Sequence, residues 1–106
     1  MATGVLGTAD LGSATNTTLY TCPADTFCVA SVSIVNRNAT SVTVRLSLSA
    51  SGTPTNDEYI EYETTVLANG VLERTGIVLQ AGKNIVVRSS AINVNAVATG
   101  IETATA

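Results

Sequence analysis

The stretch VTVRLSLSA, residues 42–50, alternates without a break. Val42, Val44, Leu46, Leu48 and Ala50 fall in one phase, and Thr43, Arg45, Ser47 and Ser49 in the other. A period of two is the signature of a half-buried strand, because successive side chains point to opposite faces. The same period recurs on either side. Cys28, Ala30, Val32 and Ile34 alternate with Ser31 and Ser33, while Ile60 and Tyr62 oppose Glu61 and Glu63. Ile85 and Val87 flank Val86 and precede Arg88, and Ile92, Val94, Ala96 and Ala98 alternate with Asn93 and Asn95. No window shows a 3.6-residue period, and β-branched residues are abundant throughout. The chain reads as all-β.

The segments between these runs are turn chemistry. CPADTFC carries Pro23 and predicts a short hairpin connection; NRNAT and QAGKN close two further turns. SASGTPTND is a longer loop with Gly52 and Pro54. Asn69-Gly70 predicts a hairpin between YETTVLA and VLERTGIVL, since both residues tolerate positive φ. Seven to eight short strands at this spacing predict an antiparallel β-sandwich, jelly-roll-like, over residues 16–102. Residues 1–15 are small and Gly/Ala-rich, with only Val5, Leu6 and Leu11 to anchor them. They read as an N-terminal arm, and residues 103–106 as a short C-terminal tail.

Length and charge narrow the function. The 106 residues are one domain's worth, with net charge −3 and a pI near 4.6. Arg37, Arg45, Arg74, Lys83 and Arg88 are scattered singly, and aromatic residues are few, so a nucleic-acid partner is not expected. No apolar run is long enough to cross a bilayer, and no basic and apolar leader opens the sequence. A membrane partner is not expected, and synthesis in a cytoplasm is.

The candidate chemistry is sparse. Two thiols, Cys22 and Cys28, and no histidine cannot furnish four tetrahedral ligands, and five intervening residues do not make a C-x-x-C redox motif. The pair is either a disulfide, worth roughly 2 kcal/mol for so small a loop, or two buried apolar thiols. A nucleophilic triad in its common form lacks its base. Glu61 and Glu63 share a strand face as a glycosidase pair would, but read better as a solvated face. Asn56, Asp57 and Glu58 are oxygen donors in a loop, where a polar turn is the simpler reading than a calcium site. No cofactor is implied and no enzyme is expected.

Faces rich in Ser and Thr but poor in charge bury against a neighbour at low desolvation cost. Self-association therefore suggests itself, with Arg45, Glu73 and Arg74 as sparse charges suited to assembly contacts, alongside Val5, Leu6 and Leu11 of the arm. LYTCPA, EYIEYET, LERTGIVLQAG and the late GIE resemble small virion structural proteins of tailed bacteriophages, especially cyanophages, over about residues 17–102. In that pattern the positions of Cys22 and Cys28 are usually apolar. The resemblance implies a non-enzymatic virion protein: a capsid decoration or cement protein forming homotrimers on the major capsid protein. A tail, baseplate or fibre-base component is the alternative it allows. A carbohydrate-binding host-attachment module, resting on Tyr20, Tyr59 and Tyr62, is a reading of another class.

Overall fold

The computed structural model describes residues 2–105. Eight strands carry the chain: β1 (Thr3–Leu11), β2 (Thr17–Thr21), β3 (Thr26–Asn36), β4 (Val42–Ser49), β5 (Tyr59–Val66), β6 (Val71–Leu79), β7 (Asn84–Ser89) and β8 (Val94–Ala104). A single 3₁₀ turn, Asn56–Glu58, precedes β5. The strands form two four-stranded sheets, β1-β8-β3-β6 and β2-β7-β4-β5, with every ladder antiparallel. The all-β sandwich expected from the period-two runs is what forms.

The core lies between the sheets. Cys28, Ala30, Val32 and Ile34 of β3 face Val44 and Leu46 of β4 and Ile85 and Val87 of β7, all essentially buried. Burial of an aliphatic side chain of this size stabilises by about 1.5–3 kcal/mol, so these positions dominate the driving force.

Connectivity departs from the sequence reading. Of chain-consecutive strands, only β4 and β5 are neighbours in one sheet. The segments at 22–28 and 69–70, expected to be hairpins, instead carry the chain from one sheet to the other. At 67–70 the reason is local. A two-residue type I′ turn needs positive φ at both central residues, and here Asn69 has it (55°) while Gly70 does not. Gly70 N–H donates to the Leu67 carbonyl (2.9 Å), and Asn36 N–H donates to the Gly70 carbonyl (2.9 Å), which ties the turn to β3 of the opposite sheet.

The ends also differ. Residues 3–11, expected as an arm, are edge strand β1, paired with β8 from Thr3↔Ile101 to Leu11↔Val94. Leu11 is buried, Leu6 half-buried and Val5 exposed. The expected tail continues β8 to Ala104. Glycines and alanines mute the alternation in both segments, whereas unpaired N–H and C=O groups recruit them, those of β8 the first segment and those of β3 the second. Residues 1 and 106, the extremes of those two readings, lie outside the described residues. Ile92, expected in the buried phase before Val94, is 59% exposed because it stands in the loop preceding β8.

The open side of the sandwich, between edge strands β5 and β6, is closed by charge. Arg74 reaches from one sheet to Glu61 of the other (2.6 Å) and to the Ile60 carbonyl (3.2 Å). Thr64 Oγ1 donates to the second oxygen of Glu61 (2.8 Å). Arg74, expected as an assembly contact, is thus paired within the chain, while Glu73 faces solvent.

Candidate docking surfaces

Two outer faces are distinct in chemistry. On β1-β8-β3-β6, Val78, Val29 and Ile101 stand directly opposite one another, and Thr3 continues the row on β1. Their exposures are 61%, 46% and 54%, which marks them as outward on a sheet whose inner side is already packed. Phe27 lies two residues along β3 on the same face, and Val5 joins through Thr99. Among the described residues no charged side chain shares this outward row: Glu102, beside Ile101 on β8, turns inward to the Tyr20 hydroxyl, and Asp10 and Glu73 lie toward the other end. The sequence does carry a signal for this row. In FCVAS and GIVLQ a valine occupies the phase that strict alternation reserves for polar residues.

The outer face of β2-β7-β4-β5 is polar and aromatic. Its ladder sets Arg45 of β4 opposite Arg88 of β7. On the other side a bulge places Tyr62 and Glu63 of β5 together across from Arg45. Glu63 adopts positive φ (50°), a conformation that non-glycine residues take at a cost of about 1–2 kcal/mol. The turned carboxylate accepts from Arg45 Nε (2.8 Å) and Nη2. That bond holds the Glu63 carboxyl below its ordinary range and raises the Arg45 guanidinium above its own. Arg45 also sits over the Tyr62 ring, 4.5 Å from its centroid, and Tyr59 packs edge-on against Tyr62 at 4.9 Å. Arg45 is therefore internally paired, as Arg74 is.

The remaining candidate residues do not assemble into a reactive centre. Cys22 and Cys28 are both free and buried. Cys22 Sγ–H points at the Thr26 carbonyl (3.3 Å), and burial, followed by the neighbouring Cys28, pushes its thiol up. Glu61 and Glu63 are directed apart, one to Arg74 and the other to Arg45. Asn56, Asp57 and Glu58 do not converge either. Glu58 turns back to accept from Thr55 N–H (2.9 Å), Ala50 N–H (3.1 Å) and Ser49 Oγ (3.0 Å), while Asp57 takes the Thr55 hydroxyl (2.5 Å). Among the described residues no group of three or more His, Cys, Asp or Glu could hold a metal ion.

Those bonds to Glu58, Thr55 N–H first and Ala50 N–H next, lower its carboxyl from the ordinary 4.5 to about 2. The folded value lies below the unfolded one, so the stabilisation is complete above about pH 4.5 and is lost as pH falls toward 2. A carbon-detected NMR titration should place the Glu58 midpoint near 2, with the Ala50 and Thr55 amides losing exchange protection over the same window. A midpoint near 4.5 would mean that the 50–58 loop is not held by this carboxylate.

Two antiparallel sheets packed face to face are the architecture of Ig-like domains, which share it without always sharing strand order. Residues 7–96 match the family described as Trs120/TRAPPC9, fourth Ig-like domain, and the chain belongs to that family. Its order, β1-β8-β3-β6 over β2-β7-β4-β5, differs from the seven-strand constant-type Ig arrangement. No curated protein matches the chain, and no solved structure does.

The family overturns the likeness to phage virion proteins. Trs120/TRAPPC9 is a eukaryotic TRAPP complex subunit. With the likeness go the cement and tail readings, the host-attachment reading, the homotrimer, the capsid and tail partners and the virion location. The fragments that suggested it, LYTCPA and LERTGIVLQAG, are sandwich strands with their turns, whose small and β-branched residues meet packing demands common to unrelated sandwiches.

Proposed function

We propose that this chain is a non-enzymatic Ig-like docking domain that holds a protein partner within a multisubunit assembly. The description of its family as an Ig-like domain of Trs120/TRAPPC9, a TRAPP complex subunit, supports another subunit of such a complex as the partner. The observation that carries the reading is the Val78–Val29–Ile101 row on the outer face of β1-β8-β3-β6. A contiguous, charge-free apolar patch on a small domain is costly to leave in water and marks an interaction surface. Thr99, Thr103 and Ser31 around it supply hydroxyls that bury cheaply once paired.

Affinity purification of the tagged chain from its own cells, followed by mass spectrometry, tests this. TRAPP complex subunits should be recovered with the native chain. With Val29→Asp and Val78→Lys together, opposite charges on directly paired positions, recovery should fall at least about tenfold, a loss of about 1.4 kcal/mol in binding. Both side chains point to solvent, so the melting temperature should move by only a few degrees. Undiminished recovery with the double variant, or recovery without any such subunit, would end the proposal.

A further inference from the structure

We infer that the concave pocket around Arg88, on the sheet opposite the apolar row, binds a carboxylate side chain from an acidic peptide segment. Arg88 and Arg45 occupy directly opposed positions on β7 and β4, an arrangement of like charges that destabilises a sheet unless an anion intervenes. Glu63 hydrogen-bonds Arg45 and reaches Arg88 only through its charge. Its left-handed backbone turns the carboxylate onto Arg45 Nε and Nη2. Arg37, Arg45 and Arg74 each have a carboxylate partner, and Arg88 has none among the described residues.

Arg88 lines a cavity of about 310 Å³ together with Thr43, Arg45, Glu63 and Ser90. Ser90 Oγ accepts from Thr43 N–H (3.0 Å), which leaves its own proton to donate. Two guanidiniums and one carboxylate give the pocket a net positive charge on a chain whose total is −3. The planar fork of an arginine matches a carboxylate with two parallel N–H···O bonds.

The tyrosines beside it extend the site. Tyr62 carries Arg45 on its ring, and together with Tyr59 and Asn56 it lines a second cavity of about 460 Å³. An extended segment with a Glu or Asp in the Arg88 pocket would rest a neighbouring side chain on this aromatic shelf. Tyrosine and arginine in adjoining pockets are the residue types that dominate binding energy at protein interfaces.

The test uses the full chain, ¹⁵N-labelled, titrated at low salt with hexaglutamate amidated at its C-terminus. Hexaglutamine and inorganic phosphate serve as the comparison probes. Hexaglutamate should produce saturable shifts centred on the Arg88 Nε–Hε resonance and the Ser89 and Ser90 amides, and hexaglutamine none. Arg88→Gln should weaken binding at least tenfold, and Arg88→Lys should lose most of it through loss of the fork. Arg88 forms no ion pair among the described residues, so both variants should keep the native spectrum elsewhere. Equal affinity in Arg88→Gln, shifts spread evenly over the surface, or tighter binding of phosphate than of hexaglutamate would each overturn the assignment.

Discussion

Replacing Asn36 with Asp is expected to destabilise the domain by about 3–5 kcal/mol at neutral pH, although the two side chains are nearly the same size. Asn36 is 1% exposed at the end of β3. Its amide nitrogen faces three carbonyl oxygens, those of Thr40 (2.9 Å), Leu67 (3.1 Å) and Val66 (3.2 Å). Its amide oxygen accepts from Asn38 N–H (2.9 Å) and Asn38 Nδ2 (3.0 Å). One side chain therefore ties both the 37–41 loop and the crossover after β5 to β3. An aspartate would aim a second oxygen at those carbonyls, replacing attraction with repulsion at a buried position.

The sign of the pH dependence follows. The buried carboxyl would hold its proton more tightly folded than unfolded, because the protonated form can donate to a carbonyl. The variant should recover stability as pH falls toward its unfolded value of about 3.9, and lose it as pH rises through the higher folded value. Asn36→Leu, which removes the amide without adding charge, should cost about 2–3 kcal/mol at every pH. Urea unfolding of both variants between pH 4 and 8 makes the comparison. Equal, pH-independent losses would show that the amide only fills space.

Gly100→Ala is the second large effect. Gly100 stands between β3 and β1, opposite Ala30 on one side and Gly4 on the other. A Cβ built there would run into the Val29 carbonyl oxygen and lie 2.8 Å from Ala30 Cα, which is backbone and not a flexible side chain. The strands must move apart, at a cost of about 3 kcal/mol, or a fall of about 12–24 °C in melting temperature for a domain of this size. Gly4→Ala is the control. Gly4 has positive φ (112°) but nothing near its missing side chain, so the cost there is conformational and near 1 kcal/mol. A loss below about 0.5 kcal/mol for Gly100→Ala would mean that the two strands relax freely there.

Much of the sandwich was legible because burial on one face imposes a period of two wherever it occurs. Val42, Val44 and Leu46 are buried as the alternation predicts, and so are Cys28, Ala30, Val32 and Ile34. Ser47 and Ser49 mark where that logic ends. They hold the outward phase, yet both are buried, with hydroxyls bonded to the Val86 carbonyl and to Glu58. The partner of Ser47 lies on β7 and that of Ser49 in the turn before β5, and no periodicity of β4 describes either. Tyr62 was misphased for a related reason: bulges in β5 shift the alternation, and a bulge adds a residue without changing composition.

The docking surfaces were less legible. Val29 and Val78 could be read as off-phase apolar residues, but not that β3 and β6 would set them side by side. Arg88 passed as one scattered cation among five. Its isolation became visible only when Arg37, Arg45 and Arg74 each met a carboxylate from a distant part of the chain.

By itself the sequence determined the all-β class, the positions of the central strands and most of their inward-facing residues, since these follow from local alternation and turn chemistry. Tertiary structure alone decided which strands became neighbours, that Asn69-Gly70 is a crossover and not a hairpin, and which charges found partners. Pairing between strands far apart in the chain depends on burying both inner faces at once, and no short window of residues encodes that condition.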